Sequence, residues 1–154
     1  MQLNFKKIIM SFIDALYSGD HAKAKSHIRN LVRIACADGI MDDAEHKLLL
    51  KIARKYEVSE ESVQEIIEQV DSLPFTPPSS KEERYVQLWN LGRMVMADGI
   101  KDPGELSKIS QFAIGLGFKA EIVPGLVDEV ISIVEAKSYE EDAIEGIDKY
   151  VKKH

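Results

Sequence analysis

Six carboxylates occupy matching places in two nine-residue stretches, "ADGIMDDAE" at positions 37–45 and "ADGIKDPGE" at positions 97–105. Asp38, Asp42 and Glu45 in the first stretch correspond to Asp98, Asp102 and Glu105 in the second, and Asp43 adds a further acid to the first. Carboxylate oxygens are the ligands that hard divalent cations prefer, so this spacing raises cation binding as one chemistry. Local helix punctuation is the other. Gly39 and Gly99 suit the left-handed position that ends a helix, and Ile40 and Ile100 suit the apolar contact that follows it. Asp42 and Asp102 suit N-caps, and Glu45 and Glu105 stand three residues on, the spacing of a capping box. Pro103 fits a first helical position. Punctuation explains Asp38 and Asp98 least well, because a carboxylate at a helix C-terminus opposes the helix dipole. Neither stretch has the spacing of an EF-hand loop.

Other reactive side chains are sparse. Cys36 is the lone cysteine, matches Met96 sixty residues on, and lies in an apolar register, so it reads as a small buried hydrophobe. His46 could share a helix face with Asp42 and Asp43, but there is no HExxH, and Leu106 is its counterpart. Tyr85 and Trp89 are four apart and read as core. Arg33 and Arg93, each five residues before an Asp, are expected to reach an acidic side chain near the turn. No nucleophile–base pair or phosphate-cradling glycine loop is present, and the expectation is a protein that is not an enzyme and requires no cofactor.

The elements that must position these groups are helices. Apolar residues recur every three or four positions, and strand-like alternation is absent. Stripes run through Phe5–Leu16, Ala24–Ala35, Leu49–Tyr56, Val63–Val70, Tyr85–Met96, Ile109–Leu116, Ile122–Val134 and Tyr139–Val151. Ser59 suits a cap before the fourth, and Gly117 a stop after the sixth. The segment "SLPFTPPSS", with three prolines, must be a connection. The halves align without gaps: Leu31 with Leu91, Ala53 with Ala113, Val63 with Val123, Val70 with Val130. The expected fold is all-α, a single compact bundle of about 7–8 helices built on a duplicated three-helix unit. One domain spans 1–154, with pseudo-repeats at about 21–72 and 81–136 and the Pro-rich connection at 73–80.

The net charge of −6 and the lack of a basic run interleaved with aromatics disfavour nucleic acid. No apolar stretch nears the ~20 residues of a membrane span. The N-terminal "KKIIMSFIDAL" continues as an amphipathic helix rather than a signal peptide. With one cysteine, a cytoplasmic location is expected.

Two Ala-Asp-Gly turns, each with a Glu seven residues after the Asp, within an all-helical chain of this length, resemble the tellurite-resistance TerB-like family. The related N-terminal domain of some membrane-anchored DnaJ-type co-chaperones has the same pattern. The resemblance covers roughly residues 25–135. It implies a compact helical bundle with a metal-binding acidic surface carried by Asp38, Glu45, Asp98 and Glu105, and a role in stress or tellurite resistance. "DPGE" at 102–105 is similar to the family's Asp-Pro-x-Glu start, whereas "DDAE" at 42–45 departs from it, and Lys101 puts a positive charge in the second turn. Two functions follow as expectations. One is a non-enzymatic binding protein holding Ca²⁺, Mg²⁺ or Zn²⁺ at the acidic turns. The other is a co-chaperone-like module that binds a protein partner and uses the turns only to shape its helices.

Overall fold

The computed structural model describes residues 21–36, 41–72, 75–97 and 103–154. Seven α-helices make up the described chain, and no strand occurs among these residues. They are α1 (residues 21–35), α2 (Asp43–Lys55), α3 (Glu60–Glu68), α4 (Lys81–Val95), α5 (Pro103–Gly115), α6 (Val123–Glu135) and α7 (Glu140–Lys153). A short 3-10 turn, Val70–Ser72, follows α3. The expected helix at Phe5–Leu16 lies outside the described residues.

The helix starts follow from local chemistry. Asp42, Ser59 and Ser80 hold extended backbone conformations, and each accepts from the N–H three residues ahead, which satisfies a donor left free by the first turn. Pro103 opens α5, where its missing N–H costs nothing. Gly117 ends that helix region with φ +100, a conformation that an L side chain adopts only with strain.

Helix α4 is the axis of the molecule. It packs against α2, α5, α6 and α7, while α6 also packs on α5 and α7. A helix surrounded in this way must be apolar on most faces. Leu88, Leu91 and Met94 are fully buried, with Tyr85, Trp89 and Val95 nearly so. Gly92 lets α6 approach: a Cβ there would stand 2.8 Å from Val130 Cγ1. The fully buried Ile28, Leu31 and Val32 of α1, Leu49 of α2, Phe112 of α5 and Ile147 of α7 complete one core.

The connection between the halves is tied down by an amide. Asn30 Nδ2 donates to Thr76 O at 2.8 Å and to Gln87 Oε1 at 3.0 Å, while Asn30 Oδ1 accepts from Thr76 N at 3.2 Å. Phe75 packs edge-on against Phe112 with ring centroids 5.6 Å apart.

Candidate functional site

The acidic residues of the two turns meet in one place. Ligand oxygens of Asp42, Glu45 and Glu105 all lie within 4.8 Å of one another. Glu45 and Glu105 hold equivalent positions in the first turns of α2 and α5, so the two halves contribute the same residue to a shared cluster. The expected pair of separate turns is, for these side chains, a single group. Asp38, Asp98 and Asp102 lie outside the described residues.

Half of the anticipated capping box forms. Asp42 Oδ1 accepts from the Glu45 N–H at 2.7 Å, which fixes the start of α2. The Glu45 side chain, however, turns inward: the residue is 3% exposed, and its Oε2 is buried with no hydrogen-bond partner. A buried acceptor of this kind is costly unless a proton or a cation compensates it. Burial pushes the Glu45 carboxyl up to about 8, helped by a hydrogen bond to Asp42 and by the charges of Asp42 and Glu105, while Lys108 pulls it down. At neutral pH the cluster therefore retains a proton that an exposed glutamate would have shed.

Lys108, buried on α5, supplies the local positive charge, and its Nζ donates to Ala35 O at 3.4 Å. Its counterpart in the first half is Leu48, so the duplication gives no hint of it. The available signal is its spacing, three residues after Glu105 on one helix, which brings side chains onto a common face. Three carboxylates against one ammonium leave the cluster net acidic and made of oxygen donors alone, the donor set of Ca²⁺ and Mg²⁺ rather than of thiolate- or imidazole-seeking metals.

The remaining candidates are structural in their surroundings. Cys36 is half-buried against the core, and His46 is half-buried on α2, next to Glu45, without belonging to the cluster. Arg93 does not reach an acid among the described residues. It donates to Asn90 Oδ1 at 2.9 Å, and its guanidinium carbon lies 4.5 Å from the centre of the Trp89 ring. The turn acids Asp38, Asp98 and Asp102 that Arg33 and Arg93 were expected to reach lie outside the described residues. No described helix is long and apolar enough to cross a membrane.

Comparison with protein-family models, with characterised proteins and with solved structures yields no match. The resemblance to the TerB-like family thus rests on the sequence motifs themselves.

Proposed function

We propose that this is a non-enzymatic, TerB-like binding protein that takes one divalent cation between its halves, with Asp42, Glu45 and Glu105 as ligands. The observation that carries the reading is the buried, unpartnered Oε2 of Glu45 beside two further carboxylates. Capping accounts for Asp42 but gives no reason to bury Glu45 opposite its own repeat counterpart. Asp38 and Asp98 join the ligand set through the family resemblance, which also suggests a role in stress or tellurite resistance; the single cysteine supports a cytoplasmic setting.

The test is calorimetry and thermal melting of wild type and Glu45→Gln with Ca²⁺, Mg²⁺ and Zn²⁺. Wild type is expected to show saturable heat with Ca²⁺ or Mg²⁺, and a melting temperature that climbs with cation concentration by mass action. Glu45→Gln keeps the volume and removes one charge from the coordination shell, so it should melt cooperatively without responding to the cation. Absence of heat and of any shift in wild type would replace this reading with the second one. In that case the molecule is a co-chaperone-like module for a protein partner, and the 2.7 Å bond from Glu45 N–H to Asp42 states the turn's whole purpose.

A further inference from the structure

A second site, none of whose lining residues belongs to the acidic cluster, carries the opposite charge. A cavity of about 460 Å³ opens where α2, α4 and the α6–α7 junction meet. Lys55, Arg93 and Lys137 line it against a single carboxylate, Glu140, with the rings of Trp89 and Tyr139 as its aromatic surfaces. In a chain of net charge −6 this is a local reversal of sign.

Glu140 is already engaged, accepting from Tyr56 Oη at 3.3 Å and pairing with Lys55 Nζ at 3.4 Å. Among the described residues Arg93 has one hydrogen bond, to the neutral Asn90, and no ion pair. A guanidinium has five N–H donors, so among these residues most of its capacity is left for a ligand. Stacking on Trp89 covers a face of the guanidinium and leaves its edge, the part that grips an oxyanion in a two-pronged fashion, for another partner. Burial also holds the Arg93 pKa below the ordinary guanidinium value, with Tyr56 and Glu140 opposing the shift. Lys137 stands at the rim in a left-handed conformation, φ 54, and Tyr139 beside it is 83% exposed.

We propose that this cavity binds a small oxyanion, a phosphate monoester or a carboxylate carrying an aromatic group, with Arg93 and Lys137 holding the anion and Trp89 and Tyr139 flanking the body. The site is independent of the cation cluster, and neither proposal depends on the other.

Trp89 is the sole tryptophan, so its fluorescence reports on the cavity directly. The experiment titrates the intact protein with phenyl phosphate, benzoate, inorganic phosphate and phenol at constant ionic strength. Phenyl phosphate or benzoate should give a saturable change, and whichever binds more tightly identifies the anion. Inorganic phosphate should bind more weakly, and phenol should give no saturable change. Arg93→Gln should weaken binding by about tenfold or more, the usual worth of a charged hydrogen bond. Lys137→Asn, which removes the charge at a backbone position that Asn tolerates, should weaken it several-fold without touching the core. No saturable change with either aromatic anion overturns the proposal. So does phenol binding as tightly as they do, or unchanged affinity in Lys137→Asn, the variant that decides the matter should Arg93→Gln fail to fold.

Discussion

At the scale of single residues, hydrogen bonding settles a protonation state. Arg93 donates to Asn90 Oδ1, so the Asn90 amide must present its Nδ2 to His27, 3.2 Å away, and His27 Nε2 must accept. The imidazole is therefore neutral, and burial lowers its pKa to about 4. A histidine with a depressed folded-state pKa contributes stability above its unfolded value of about 6.5, and that contribution is lost as pH falls towards the folded value. Between about pH 6.5 and pH 4, protonation of His27 should cost the folded state on the order of 3 kcal/mol, while Glu45, whose raised pKa favours the folded state as pH falls, acts in the opposite direction. The urea midpoint of wild type should therefore fall relative to that of His27→Gln, which keeps an acceptor for Asn90, over this range; a constant difference between the two would remove His27 from the account. The legible part of the acidic site was likewise local. Asp42 as cap could be read from its spacing to Glu45, but the meeting of Glu45 with Glu105 depends on how α2 and α5 are brought together. Lys108 was hidden because the first half has Leu48 in its place.

At the scale of elements, periodicity located the helices well and understated how much of α4 is buried. The pattern marked one stripe, Tyr85, Leu88, Trp89, Gly92, Val95 and Met96, whereas Gln87, Asn90, Leu91 and Met94 are buried too. Two of these are amides, which no apolar stripe can include; they are tolerated because Asn30, His27 and Arg93 supply their partners. The close crossing of α4 over α6 gives a prediction. Gly92→Ala gains about 1 kcal/mol of helix propensity but drives a methyl against the buried, stiff Val130. Overpacking of this kind costs about 1–3 kcal/mol, so the variant should unfold at lower denaturant with an unchanged slope. A midpoint above wild type would mean that α6 yields freely.

At the scale of the whole molecule, the register of the two halves persists in three dimensions for two helix pairs. Helices α1 and α4 end at 35 and 95, and α2 and α5 span Asp43–Lys55 and Pro103–Gly115, each match sixty positions apart. The third pair breaks the pattern: α3 stops at Glu68 before the proline-rich connection, while α6 runs to Glu135. Proline removes donors and fixes φ, and the second half has no such segment at the corresponding place. Because α4 of the second half is enclosed by α2 as well as by α5, α6 and α7, neither half keeps a core without the other. Thermal unfolding should accordingly be one transition, with far-ultraviolet dichroism and Trp89 fluorescence coinciding. Two separated transitions would show that the halves are independent units.

The grip of Asn30 on the connection has a consequence for how this chain can vary. Its side-chain amide pairs with the carbonyl and the N–H of residue 76, both of them backbone groups. It recognises a peptide group, and every residue except proline supplies the same one. The path of the crossing is thus set from outside, by a helix in the first half, and the identity of residue 76 is released from that duty. Constraint is transferred to position 30, where aspartate would lose both donated bonds and leucine all three. Relatives of this protein should therefore keep the amide at 30 while the residue at 76 drifts, so that the segment with the most irregular backbone is not the one with the most restricted sequence.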